Sequence, residues 1–327
     1  MSFKDIDSQD HIINFLLASH KADRLGGAYL FIGKDGVGRT ELARQFAKLI
    51  NCTSSKDDCC DECLHCLQIQ QDRHPDVHWY SPINNSITIS QIRNLEKYMY
   101  LKPYASRKKV FIICHAQYLG EESSNALLKT LEEPTRDSII ILIALDTATL
   151  LSTISSRCQK IIFNSLSEST IKDILIQKYK LPLLYAHFIS YLSDGSLNKA
   201  LIFKELKDDL FQKRTHILNA VYFKKFALLK MEEFSIKDNT QKRKSLSLLL
   251  DILLTWFRDL LVIKSGINSA LINLDKKEDL SKLNTKYSQE EIIKNITTIT
   301  NTKSLINADI NINAKLAISK MRADLWR

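Results

Sequence analysis

Residues 28–50 read AYLFIGKDGVGRTELARQFAKLI. AYLFI (28–32) is a short apolar run rich in aromatic and β-branched side chains, the signature of a buried strand. ELARQFAKLI (41–50) carries its apolar residues at helical spacing. Between them, GKDGVGRT (33–40) fits the phosphate-loop pattern G-x-x-x-x-G-K-[ST] at every position but one. Gly33 and Gly38 are the glycines of the pattern, and Gly36 is a third. Thr40 keeps the hydroxyl that would touch magnesium. Arg39 stands where a lysine would reach the terminal phosphates. Strand, glycine loop and helix in this order make the site a nucleotide-binding candidate altered at one chemical position.

Working outward, VFIIC (110–114), SIIILIAL (138–145) and KIIF (160–163) read as further strands. A helix is expected at about 121–133, closed by Pro134. An opening helix is expected at about 8–19, with Ser8 or Asp10 as its cap and Ile12, Ile13, Leu16 and Leu17 as its apolar face. Strands alternating with helices imply a parallel sheet covered on both faces. Beyond about residue 165 strand signals fade and helical periodicity takes over. The expected division is an α/β domain over 1–164, a small helical domain over 165–206 and a larger helical domain over 207–327.

A nucleotide-hydrolysing loop of this kind needs a carboxylate at the end of a neighbouring strand to hold magnesium. The strand beginning after Lys109 ends Cys114-His115-Ala116-Gln117 and carries none. Neutral imidazole is no substitute for an oxygen ligand on a hard cation. Glu121 and Glu122 belong to the next helix start, where they favour its dipole. Two parts of the hydrolytic apparatus are therefore altered together, and hydrolysis is not the expected task of this chain. Arg39 could still hold a phosphate, because guanidinium binds phosphate well. ATP or ADP binding without turnover and an empty structural loop both remain open readings.

Cys60-x2-Cys63-x2-Cys66, with Cys52 upstream, has the spacing of a tetrahedral zinc site. With four protein ligands such a site is structural and leaves no open position. An iron–sulfur cluster and free thiols are the alternatives. Cys59, His65 and His74 are further candidate ligands. Cys114 and Cys158 lie in apolar sequence and read as small buried residues.

The chain has 327 residues, an apolar fraction of 45% and a formal net charge of +9. That is ample for a core, and the charge suits an anionic partner such as nucleic acid. A codon bias toward Lys, Ile and Asn explains the charge equally well. MSFKDIDSQD shows no apolar signal segment, and no run approaches the ~18 apolar residues that span a bilayer. The expected location is cytoplasmic, where paired cysteines read as metal ligands before disulfides.

Other stretches carry a resemblance. HPDVHWYSP (74–82), ITISQIRNLEKYM (87–99), SSNALLKTLEEP (123–134) and LLSTISSRCQKIIF (150–163) stand in order around the loop and the cysteines. Together they resemble the clamp-loader family of bacterial DNA polymerase III. The likeness is strong over about 25–165 and weaker at GSLNKAL (195–201), WFRDLL (256–261) and NINAKLAISKMRADL (311–325). Arg39, Cys114-His115 and the chain length are similar to delta-prime members rather than to gamma/tau members, which keep the loop lysine and the acidic strand end. The resemblance implies an AAA+-type P-loop domain with a zinc knuckle, a helical lid and an all-α collar.

It also implies a stator in a hetero-pentameric ring with gamma/tau and delta subunits. That ring would load a sliding clamp onto primed DNA, with no membrane involved. Arg157, in Ser156-Arg157-Cys158, would then be an arginine finger acting in trans on a neighbour's ATP; the plainer reading is a surface arginine in a salt bridge. A gamma-like ATPase using Arg39 and a stand-alone DNA-binding or recombination factor of the same fold are the rival readings. Lys199 reads as a surface lysine, Trp256 and Arg258 as collar packing and a salt bridge. The run 107–109 reads as a solvated strand entrance or a face toward DNA.

Overall fold

The computed structural model describes residue 3 and residues 9–55, 57–222, 239–267, 270–307 and 313–325. The chain falls into two compact units. One comprises Met1–Ser167 with Gly195–Asn198, the other Glu168–Asp194 with Lys199–Arg327.

The first unit is built on a five-stranded sheet. Its strands are β1 (Ala28–Ile32), β2 (Val77–Tyr80), β3 (Lys109–Ile113), β4 (Ser138–Ala144) and β5 (Gln159–Ile162). Their order is β2-β3-β4-β1-β5, and every pairing is parallel. β1 is fixed against β4 by the register Ala28↔Ile140 to Ile32↔Ala144. This is the expected AAA+-type parallel α/β arrangement, with the glycine loop leaving the end of β1. β2 is an addition to the strands expected from sequence.

The two-residue period of a strand sorts the side chains between two cores. Ile139, Ile141 and Ile143 of β4 join Tyr29, Phe31, Val110 and Ile112 on one face. There they pack on α1 (Asp10–Lys21) through Ile12, Ile13 and Leu16, and on α2 (Arg39–Asn51) through Leu42, Phe46 and Ile50. Ile140, Leu142 and Ala144 join Leu30, Ile32, Phe111 and Ile113 on the other. That face is covered by α4 (Ile89–Met99) through Ile92 and Leu95, α5 (Glu121–Glu132) through Leu127 and Leu131, and α6 (Ser152–Ser155) through Ile154. Each such side chain contributes ~1.5–3 kcal/mol by leaving water. A strand buried on both faces reads as a continuous apolar run, which is why SIIILIA carries no polar alternation.

α1 starts later than its pattern suggested. Ser8 lies outside the described residues. Asp10 is the first helical residue rather than the cap, and Gln9 takes the N-cap without capping through its side chain. The Gln9 amide instead donates to the carbonyl of Asn164 at 3.0 Å. In the run 107–109, Arg107 is exposed and Lys108 half-buried, as a solvated entrance requires, but Lys109 is not. Lys109 is 2% exposed, and its ammonium donates to the carbonyls of Tyr98, Met99 and Leu101.

The second unit is helical among the described residues. It holds α7 (Glu168–Gln177), α8 (Leu183–Leu192), α9 (Leu197–Glu205) from Lys199 on, α10 (Lys207–Tyr222), α11 (Asn239–Lys264), α12 (Lys277–Asn284), α13 (Gln289–Asn307) and α14 (Ala314–Leu325). Residues 311 and 312, at the start of the tail motif, lie outside the described residues. Leu246, Leu250, Leu253, Trp256 and Leu260 of α11 are buried, as are Ile292 and Ile299 of α13. Arg258 pairs with Asp259 at 3.1 Å, so Trp256 and Arg258 take the packing and salt-bridge roles read from sequence.

A polar knot sits in this unit. Arg214 of α10 is 1% exposed, with its guanidinium over the rings of Phe188 of α8 and Phe211. Its Nε donates to Asn273 Oδ1 at 3.0 Å and its Nη1 to Asp275 Oδ2 at 3.0 Å. The Asn273 amide donates onward to Thr255 and to Asp259 of α11.

Candidate functional site

The glycine loop ends in Gly38, whose φ of 95° is left-handed, and α2 begins at the next residue. The first N–H groups of a helix lack intrahelical acceptors, and no side chain caps them here. The loop therefore keeps the donor-rich helix end that anions favour. Gly36 answers a close approach: a Cβ there would lie 2.0 Å from Ser196 Oγ. The Asn198 amide donates to the Gly36 carbonyl at 3.3 Å. Gly195–Asn198 thus lies against the loop, within the same unit.

Arg39 is turned inward, with a side chain only 6% exposed. Its Nη2 donates to Asp35 Oδ1 at 2.6 Å, and its Nη1 donates to the carbonyl of Ala144 at the end of β4. Burial lowers its hold on the proton and Asp35 opposes that effect; a guanidinium remains charged. The cation at the phosphate-reaching position is committed to its own loop and its own sheet. Lys199 is half-buried, with its ammonium 5.5 Å from the Phe203 ring.

β3 stops at Ile113. Cys114 is 8% exposed, and burial raises its thiol pKa. His115 is exposed and adopts a left-handed φ of 52°. A neutral thiol and an imidazole therefore occupy the strand end where magnesium chemistry calls for a carboxylate.

The four expected cysteine ligands come together. The sulfurs of Cys52, Cys60, Cys63 and Cys66 all lie within 4.8 Å of one another. Cys52 is the C-cap of α2, Cys63 the N-cap of α3 (Leu64–Gln70), and Cys66 lies on that short helix. Tetrahedral bonds of ~2.3 Å would set sulfurs ~3.8 Å apart, and Cys60 Sγ to Cys66 Sγ is 3.9 Å. Burial opposes ionisation of Cys63, but the amides of Thr53 and Cys66 bring it to about 6. Burial pushes Cys66 up, and neighbouring Cys52 and Cys63 push it further. Four crowded sulfurs of this kind repel one another when ionised unless a cation sits among them. The residues fit a metal ion.

The other candidate ligands lie elsewhere. Cys59 points to α2, with its thiol 3.3 Å from Gln45 Oε1. Burial, with Asp58 and Asp61, pushes it up to about 12, so it stays a neutral thiol. His65 Nδ1 and His74 Nε2 meet each other at 2.8 Å. The Asp76 amide donates to His74 Nδ1 at 3.0 Å, which leaves the proton of neutral His74 on Nε2. Burial and His65 hold His74 down at about 4.

Arg157 follows α6 on the turn into β5 and is exposed. Its Nε and Nη2 both donate to Glu132 Oε1, at 2.8 and 2.5 Å, and its Nη1 donates to the Thr153 carbonyl at 2.9 Å. The surface salt bridge that was the plainer reading is therefore present. Cys158 beside it is buried, and burial raises its thiol to about 12.

Three supporting residues escaped the sequence reading. Lys48 of α2, with 1% of its side chain exposed, donates to Asp61 Oδ1 at 2.7 Å and Gln70 Oε1 at 2.5 Å, tying the cysteine loop and α3 to α2. Asp76 accepts the amides of Tyr104, Ala105 and Ser106. Glu132 holds Arg157. The acids and amides involved are far from one another in sequence, so no local spacing announces them.

The chain is similar to known proteins along most of its length. A family model described as DNA polymerase III, delta subunit, matches residues 8–167, and a second, for the C-terminal part of the DNA polymerase III delta subunit, matches 208–323. The chain is 30% identical over 321 residues to the DNA polymerase III subunit delta' of Bacillus subtilis, covering 95% of each chain. It is 37% identical over 175 residues to the tau/gamma subunit of Haemophilus influenzae, covering 53% of this chain and 25% of that one. A solved gamma subunit-related protein of Thermotoga maritima is 20% identical, with a TM-score of 0.49, over 98% of this chain and 99% of its own.

Proposed function

The chain belongs to the delta-prime subunit family of DNA polymerase III, and from that premise we propose that it is a non-hydrolysing stator of the sliding-clamp loader. In this reading it joins gamma/tau and delta subunits in a hetero-pentameric cytoplasmic ring that loads the clamp onto primed DNA. Its division of labour is a P-loop domain with a knuckle (1–164), a lid (165–206) and an oligomerising collar (207–327). Arg157 is presented in trans to the ATP of a neighbouring subunit, where a guanidinium neutralises charge growing on the transferred phosphoryl group. The cysteine cluster holds a structural Zn²⁺, which with four protein ligands supplies folding energy rather than catalysis.

The observation that carries the reading is the opposite disposition of two arginines. Arg39, in the chain's own loop, is 5% exposed and bonded inward. Arg157 stands exposed on a turn, and among the described residues its hydrogen-bond partners are a surface carboxylate and one carbonyl. Cys114-His115 at the strand end supports the same conclusion, since it supplies no magnesium carboxylate.

The test is ATP turnover by the isolated chain and by a ring reconstituted with gamma/tau and delta subunits. The isolated chain is expected to release no phosphate above background. Arg157→Ala is expected to lower turnover of the ring by ~10³-fold or more at a site that depends on it, with assembly intact. Turnover by the chain alone would favour a gamma-like ATPase. Failure to assemble would favour a stand-alone DNA-binding factor.

A further inference from the structure

We propose that Glu132 is a positioning residue for Arg157: it holds one edge of the guanidinium, so that the donors left over are presented in a fixed pose to a neighbour's phosphate on assembly. The inference rests on the trans-arginine reading of Arg157.

Two donors of Arg157, Nε and Nη2, converge on the single oxygen Glu132 Oε1 at 2.8 and 2.5 Å. A third, Nη1, reaches the carbonyl of Thr153 on α6 at 2.9 Å. The guanidinium is thus gripped on two edges, and a long side chain with many rotamers is confined to one pose. Confinement before docking removes an entropy cost that would otherwise fall on the assembled site.

The pair is poorly placed to serve stability. The side chains of Arg157 and Glu132 are 35% and 49% exposed, so water screens the pair. Glu132 is the last residue of α5, where the negative end of the helix dipole disfavours a carboxylate. Glu133 follows directly and adds like charge. A pair placed so poorly for stability contributes little to the fold, and its use is to orient the guanidinium, whose remaining donors can still meet a phosphate. Glu132 touches no reacting atom in this scheme and acts only through Arg157.

The experiment is steady-state ATP turnover by the full ring, reconstituted with gamma/tau and delta subunits, clamp and primed DNA. Glu132→Ala is expected to lower kcat about threefold to fivefold, the scale of one exposed ion pair, with KM for ATP unchanged. Glu132→Gln keeps an acceptor oxygen and is expected to recover at least half of that loss. On an Arg157→Ala background, Glu132→Ala is expected to have no further effect. Both side chains are exposed, so the variants are expected to keep the parent's Tm and its assembly. If Glu132→Ala turns over like the parent while Arg157→Ala is impaired, the positioning role is wrong and the finger reading stands. An additive loss in the double variant also overturns it. If Arg157→Ala itself is silent, both readings fall.

Discussion

Asp35 of the glycine loop and Arg39, four residues on at the start of α2, are joined at 2.6 Å, with the carboxylate 69% exposed and the guanidinium 6% exposed. The loop thereby supplies its own anion to the cation at its phosphate-reaching position. A nucleotide held by Arg39 would have to break that pair and the bond to Ala144 as well.

Restoring the loop lysine therefore restores little. Arg39→Lys is expected to leave ATP hydrolysis by the purified chain at background, because β3 is still followed by Cys114-His115 and no carboxylate. Phosphate release measured with magnesium in excess checks this. Turnover gained from that one change would contradict the account of the strand end.

Metal is expected at one ion per chain, and zinc is the expected element. Cys52→Ser, Cys63→Ser and Cys66→Ser should each lose it, whereas Cys59→Ser should keep it, since Cys59 faces Gln45. Elemental analysis of purified variants decides the ligand set. A strong chelator should expose the segment 52–70 to hydrogen exchange, because a structural metal's binding energy is folding energy.

Asp76 gives the stability a defined pH dependence. Burial works against its ionisation, but the amides of Tyr104, Ala105 and Ser106 and the Ser106 hydroxyl outweigh it and hold the carboxyl below its ordinary value. Its contribution is complete above the unfolded value of about 3.9 and is lost as pH falls through the lower folded value. Asp76→Asn should lower stability at pH 7 by ~1–3 kcal/mol, the cost of buried donors left poorly paired. It should also flatten the part of the acid limb below about pH 4 in urea titrations, where the parent's Asp76 contribution falls away.

Arg214→Met should destabilise the helical unit more than any surface change. It removes the centre of the Asn273–Asp275 bonding while keeping an apolar stem against Phe188 and Phe211. Breaking a buried pair costs ~3–5 kcal/mol; Asp275 is 32% exposed, so the low end of that range is expected. Thermal unfolding followed by circular dichroism measures it, and a Tm equal to the parent's would show the knot to be idle.

The legible part of this fold is the part written locally. AYLFI, VFII and SIIILIA are continuous apolar runs because both faces of their strands are covered, and each became a strand. β2 was missed because VHWY is short and half-buried, pairs only with β3 and has no apolar run. The helix at 89–99 did have a signal: Thr88 and Gln91 form a capping box. The cysteine ligands were legible because their spacing is short, and their geometry separates Cys52 from Cys59. Arg39 to Ala144 spans 105 residues and Arg157 to Glu132 spans 25. Such pairs exist only once the sheet brings the strand ends together, so no motif could show that Arg39 turns inward or that Glu132 holds Arg157.

The short return of Gly195–Asn198 to the first unit has a practical consequence for dissecting the chain. The backbone passes between the two units at 167/168, again at 194/195 and again at 198/199. One cut cannot part them. A fragment ending at Ser167 would forfeit Ser196 and Asn198, leaving Gly36 bare on one side and its carbonyl short of a donor. A fragment beginning at Glu168 would carry those residues with nothing to rest on. Limited proteolysis should accordingly yield pieces that stay associated, and the chain is best handled whole.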